Sequence, residues 1–448
     1  MKIAWISPFA KASAIARYST IVCDEIEALG HNALRICCGD AERSQIGDSH
    51  YRHDMDFATF LMSDRSDVDQ IIYNLGNNLA NHGALVTDDV PMGVFILHDV
   101  CYPHLFLAYC SRYGIDPHTL LDRLVPLGLA RSDHRDIYAA VSKAGDPDLS
   151  LVLLAELDMV GWVTRHATQI VVHSPSVTNT IAQKTGLRVC HLPLAFWTKE
   201  QTKAVEDIFP LKHDKRTLSS FGHLNANKRV SSLIQAVGSD ASLSKTWQIR
   251  IVGPANDASR THYHVLAERQ PHPVDLMITG TVDDATFDAE MRAADCISCL
   301  RRPSYESGSA TLVMALAING NILASQDSAS AAIVHDIATM IPPDDEPDHI
   351  AAALRQMMCR TTTRDKALSK IRTRAREIFD ARVYATGILE FLETATSEDS
   401  RAARFKQSLP EGGDIAVALR RWCGPRLMSA AHRMGPVLQN LEGRKNVD

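Results

Sequence analysis

The chain has 448 residues, 45% apolar and 22% charged, with a formal net charge of −6. This is the balance of an ordinary folded protein. It excludes a polybasic nucleic-acid binder and a disordered body, and the length exceeds the about 250–300 residues at which a single core stops growing.

The first strand-like run, Lys2 to Ile6, is too short to be the apolar core of a signal peptide, and no run approaches the about 20 apolar residues of a membrane helix. A cytoplasmic location is therefore expected. Further runs follow at Ala33 to Cys37, Asp69 to Leu75, Gly93 to Leu97, Gln169 to Val172 and Arg188 to Leu192. Between the first two, Ile15, Tyr18, Ile21, Val22, Ile26 and Leu29 recur at helical spacing and Gly30 provides a stop. This is a βαβ unit, and the alternation predicts a parallel sheet. The expected first domain covers residues 1–205. It includes a helical insertion at about 103–165, broken at Gly114 to Pro117 and at Gly145 to Pro147.

A polar linker from Thr198 to Arg216 precedes a second series: Leu218 to Phe221, Gln248 to Val252, Leu276 to Ile278, Cys296 to Leu300, Ile322 to Ala324, and Met340 with Ile341. These define a second Rossmann-like domain at 206–375, followed by a helix at 376–396 expected to pack back on the first domain, and by a tail at 397–448. Ten cysteines show no disulfide framework, and Cys296 with Cys299 lies inside an apolar strand run, which reads as core rather than metal site.

In such sheets ligands sit beyond the carboxyl ends of the strands, so the residues after each run carry the functional reading. Phe221-Gly222-His223-Leu224 leads to Lys228 and then to a helical pattern from Val230. Glycine admits a close ligand there, and a cation beside a helix start suits a pyrophosphate, although a solvated loop would look the same. Arg301 to Ser309 lies between a strand and the helical run Thr311 to Ile318. Ser309 reads as N-cap, the N–H groups of Ser307, Gly308 and Ser309 face phosphate, and Glu306 accepts from sugar hydroxyls; the bland alternative is an exposed capping loop. Gly253 and Gly280, each directly after a strand, are weaker candidates. His98 and His173 end strands of the first domain, where either could line the cleft and where a hydrogen-bonded structural histidine is the commoner choice.

Together these segments resemble glycosyltransferase family four, the glycogen-synthase-like retaining enzymes. The match rests on Phe221 to Leu224 with Lys228, Ile278 to Asp284, Ala293 to Cys296, Arg302 to Glu306 and Ile341 to Asp344, all in the family's order. In the first domain it rests only on Ala14 to Ser19 and His98-Asp99. The resemblance implies a GT-B fold, two Rossmann-like domains with parallel sheets facing across a cleft. It implies a metal-independent, retaining transfer from a nucleotide diphosphate sugar to a hydroxyl acceptor. Lys228 would sit on the diphosphate, Glu306 on the sugar, His98 would orient the sugar, and Ser13, Ala14 and Tyr18 would lie on the acceptor side. Three positions depart from the family: Met314 stands where its second signature glutamate holds the ribose, His223 where an arginine is common, and Ser13-Ala14 where two glycines are usual.

The missing glutamate supports an opposing reading, a catalytically silent GT-B protein that binds glycan or serves as a partner subunit. A sugar-nucleotide epimerase of the same fold has no distinguishing motif here. The tail at 401–448 holds nine Lys or Arg against four acids, a local charge of +5. Its interleaved apolar residues suit an anionic membrane surface, the first domain or a second copy of the chain.

Overall fold

The computed structural model describes residues 1–10, 13–39, 51–144, 147–198, 200, 211–358 and 362–394. Seven parallel strands form the first sheet: β1 (Lys2–Ser7), β2 (Asn32–Cys37), β3 (Met55–Asp56), β4 (Gln70–Leu75), β5 (Gly93–Leu97), β6 (Ala167–Val172) and β7 (Val189–His191). Their spatial order is β3-β2-β1-β4-β5-β6-β7. Six strands form the second: β8 (Arg216–Phe221), β9 (Trp247–Val252), β10 (Asp275–Gly280), β11 (Cys296–Cys299), β12 (Ile322–Ser325) and β13 (Thr339–Ile341), in the order β10-β9-β8-β11-β12-β13. The two-domain GT-B reading of the sequence holds. The short edge strand β3 (Met55–Asp56) carries too few residues to show an alternation and was not expected.

Most strands read as unbroken apolar runs because helices cover both faces of each sheet. The helix Ala14–Ala28 shows how: Ala16, Tyr18, Ser19, Val22, Cys23 and Ile26 are buried at helical spacing. Gly30, at φ +87°, lets the chain turn back into β2. Within β11, Cys296 and Cys299 are three residues apart and so project to opposite faces of the pleat, one into each apolar layer. That placement makes both of them core and keeps them from pairing.

Both sheets reverse direction once, between β1 and β4 and between β8 and β11. Loops on either side of such a switch point diverge and leave a crevice for ligand. The insertion folds as the helices Pro103–Tyr113, Pro117–Leu124, His134–Lys143, Pro147–Glu156 and Val160–Val163. At the other end of the chain, Phe196 and Trp197 bond the Phe379 carbonyl, and the helix Ala381–Glu393 buries Tyr384, Ile388 and Leu392 in an apolar cluster that also holds Trp5, Val22 and Met314. Residues from both domains therefore share one apolar layer.

Candidate functional site

The site forms where the loop after β11 crosses to the first domain. Glu306 pairs with Asp99 in an isolated antiparallel bridge. The Val100 N–H donates to the Tyr305 carbonyl at 2.6 Å, and the Ser307 N–H to the His98 carbonyl at 2.8 Å. The Ser307 hydroxyl donates to the Leu97 carbonyl, and the Tyr305 hydroxyl reaches the Leu151 carbonyl of the insertion at 3.0 Å. Residues 305–307 thus clasp the two domains. A cavity of about 210 Å³ opens beside them, lined by Ala14, Ile15, Tyr18, His98, Asp99, Leu194, Phe196, Glu306 and Gly308 to Thr311.

Several expected residues meet there, Ser309 in the N-cap role read for it and Ser307 in a different one. Ser307 is fully buried and both its N–H and its hydroxyl are taken by the first domain, so it offers nothing to a phosphate. Gly308 is a glycine for a steric reason: a Cβ there would stand 2.7 Å from the Cβ of His173. Ser309 is the N-cap of the helix Ala310–Ile318, accepting from the Leu312 N–H. Ala14 is exposed at the cavity mouth, Ser13 precedes the helix without a side-chain cap bond, and Tyr18 is buried with its ring edge-on to His98 at 4.9 Å.

His98 and His173 follow adjacent strands in register, Leu97 facing Val172, which brings the imidazoles together. His173 Nε2 is 3.2 Å from His98 Nδ1, His173 Nδ1 is 3.1 Å from the Leu192 carbonyl, and His98 Nε2 is 3.2 Å from Asn74 Oδ1. Burial holds both well below the usual histidine range, His173 at about 4. Both nitrogens of His98 face protein atoms, so its imidazole has none to give a sugar hydroxyl. It walls the cavity instead.

Across the second sheet's switch point, Gly222 (φ +80°) starts the loop to Lys228. A Cβ on Gly253 would lie 2.5 Å from the Gly222 carbonyl, and Gly253 bridges Gly280, so these glycines let three strand ends approach one another. Lys228 is 6% exposed and donates to the Phe221 carbonyl. Burial, and then the positive Arg301, bring its pKa down to about 7, with Glu306 acting against them. His223 is exposed beside it. Glu306 receives Arg301 Nε at 3.2 Å through Oε1, while its buried Oε2 meets no donor.

Two groups were missed as site residues in the sequence. Asp99 Oδ2 accepts the Asn77 N–H at 2.7 Å; burial and then the charge of Glu306 carry its pKa up to about 8. Arg301 stands just beyond the end of β11, and that position is its one signal in the sequence. Met314 is 5% exposed in the helix Ala310–Ile318, and its sulfur lies 3.9 Å from Arg17 Nη1 of the first domain.

Residues 202–377 match the family model described as glycosyl transferases group 1. Over that stretch, the second domain, the chain is similar to that group. No curated protein matches the chain by sequence. Among solved structures, HepE of Anabaena in complex with UDP is similar at a TM-score of 0.56 and 15% identity, covering 88% of this chain and 100% of that one. WaaG, a glycosyltransferase involved in lipopolysaccharide biosynthesis, gives 0.51 and 15% over 88% of this chain and 100% of its own. Sucrose-phosphate synthase from Thermosynechococcus elongatus gives 0.56 and 13% over 88% and 98%. At these identities the likeness speaks for the fold. The glycosyltransferase resemblance thus holds by sequence over the second domain and by architecture over both.

Proposed function

We propose that the chain transfers a sugar from a nucleotide diphosphate sugar to a hydroxyl acceptor, with retention of anomeric configuration. The observation that carries this reading is that Lys228, on the loop after β8, lies within electrostatic reach of Glu306, which lines a cavity whose other wall comes from the first domain. HepE, of the same fold, has been solved with UDP-glucose, which supports a nucleotide sugar as donor.

In the proposed step the bond from C1 to the diphosphate oxygen breaks as the bond from C1 to the acceptor oxygen forms. The acceptor's proton passes to the leaving phosphate, so no protein base is required. Lys228, in its charged form, meets the negative charge growing on the diphosphate, the kind of preorganised contact whose removal costs about 10²–10³ in rate. Glu306 holds sugar hydroxyls through the carboxylate oxygen that has no protein partner. With protein cations on the diphosphate, this chemistry calls for no metal. The acceptor is expected at the Ala14 and Tyr18 side. All cysteines described are free thiols, which supports a reducing, cytoplasmic location, and no described helix is long and apolar enough to cross a membrane.

One observation favours a silent binding protein instead: Met314, at the place of a ribose-holding carboxylate, is buried and already engaged by Arg17. A panel of UDP, GDP and ADP sugars separates the readings. Hydrolysis or transfer from one of them, lost in Glu306→Gln while the bare nucleoside diphosphate still binds, is the expected result. Binding without turnover of any donor would favour the silent protein, and equal loss of nucleotide and nucleotide sugar in Glu306→Gln would take Glu306 off the sugar.

A further inference from the structure

Arg301 and Lys228 are both 6% exposed, and they lie on the loops that follow β11 and β8, the neighbouring strands of the switch point. The Arg302 N–H donates to the Asn227 carbonyl at 2.8 Å, which ties the two loops together. The Arg301 N–H bonds Ser325 Oγ at 2.9 Å and fixes the base of the side chain. Its guanidinium donates through Nε to Glu306 and through Nη1 to the Leu300 carbonyl at 2.8 Å, leaving Nη2 without a protein partner among the described residues.

Arg301 thus bonds the Glu306 carboxylate directly, and Lys228 lies within electrostatic reach of it. The neighbouring acid, Asp99, is held largely protonated at neutral pH. Burial pushes the neighbouring Cys299 thiol up to about 12, and burial and then Lys228 lower the pKa of the His223 imidazole. Two buried basic groups beside one carboxylate leave room for a further anion, because a charge out of water is unfavourable without a partner. An anion with two or more oxygens at the switch point completes it. A guanidinium fork matches a phosphate in two parallel bonds, which an ammonium does not.

We propose that Arg301 is the second cation of the diphosphate site: it grips the donor's diphosphate together with Lys228, and in doing so it exchanges Glu306 for phosphate and frees that carboxylate for the sugar. This rests on the donor-site reading above and supplies a cation where His223, its pKa lowered beside Lys228, is a poor one. One buried arginine then serves two states, a partner for Glu306 in the empty cleft and a ligand for phosphate in the filled one.

Isothermal titration of the full chain, wild type against Arg301→Gln and Arg301→Lys, with the nucleoside diphosphate, its nucleoside and inorganic pyrophosphate, tests it. Arg301→Gln should weaken the diphosphate and pyrophosphate about 10–100-fold, the range of a lost charge-assisted contact, and the nucleoside by less than about 3-fold. With a like charge removed from beside Lys228, the pH midpoint for diphosphate binding should move upward in Arg301→Gln. In Arg301→Lys the midpoint should stay while affinity falls, and this variant guards against a folding defect in the first. Unchanged affinity and midpoint in Arg301→Gln, or equal losses for nucleoside and diphosphate, would return Arg301 to the role of a structural partner of Glu306. Should no nucleotide bind the wild type while pyrophosphate binding still depends on Arg301, the donor reading falls and the anion site stands. Wild type binding neither would overturn both.

Discussion

Lys228 shows how a single environment sets a functional range. A lysine in water would stay charged past pH 10; burial with Arg301 beside it lowers that to about 7. A diphosphate prefers the charged form, so binding draws a proton onto Lys228. As pH rises through about 7 the free lysine loses its charge, and near 8 Asp99 gains a negative one next to Glu306. Both changes oppose an anionic ligand. Affinity for a nucleotide diphosphate sugar should therefore fall by close to tenfold per pH unit above about 7.5, and titration from pH 6 to 9 reads the slope. Lys228→Ala should bind more weakly and flatten the profile; a wild-type affinity that stays level to pH 9 would mean that the lysine is not titrating on the ligand. Met314 supplies a second test. A glutamate there would be a buried charge, costly on its own, but it would fall beside Arg17. Met314→Glu should fold with only a modest loss of melting temperature, whereas Met314→Glu combined with Arg17→Ala should lose more than the two single changes together, by about 1–3 kcal/mol of coupling. Additive losses would separate Arg17 from position 314.

Among the elements, the crossing segment 305–308 does what neither domain does alone. Its backbone bonds Val100 and His98, and Gly308 fits against His173 only because it lacks a side chain. Its φ is not in the left-handed region, so alanine is allowed by the backbone and excluded by the neighbour. Gly308→Ala should lower stability by about 1–3 kcal/mol, the range for overpacking, and reduce kcat/KM as the clasp moves off the cavity. Thermal unfolding with steady-state kinetics measures both; a variant matching wild type in each would show that the contact yields freely. The element patterns themselves were plain in the sequence, since every other strand of the two sheets shows as a run of apolar or β-branched residues, and Gly30 marks a helix end. The partnership of His98 with His173 was not legible, since it depends on the register of β5 with β6 across an inserted helical segment.

At the scale of the whole molecule, the return of the helix Ala381–Glu393 to the first domain closes the chain on itself, with Arg382 3.6 Å from Glu25 and a Cβ on Gly387 only 2.8 Å from Leu192. The basic tail lies outside the described residues. Its charge of +5 in a chain of −6 carries its own prediction. If it attaches the protein to an anionic membrane surface, vesicles containing phosphatidylserine should co-sediment the full chain, less so as salt rises, and should not co-sediment a truncation ending at Thr396. Equal recovery of both in the supernatant would end that idea.

By itself the sequence determined the two parallel-sheet domains, the loops in which chemistry should lie, and Lys228 and Glu306 as candidates, because strand alternation, helical spacing and short ordered motifs are local patterns. The tertiary structure decided which loops meet. It brought β8 beside β11 across a reversal of strand order, joined Arg301 and Asp99 to the site, and turned Ser307 from a phosphate ligand into part of a clasp. Those assignments rest on contacts between residues far apart in the chain, where burial and hydrogen bonding depend on which element lies opposite and leave no periodic trace in the sequence.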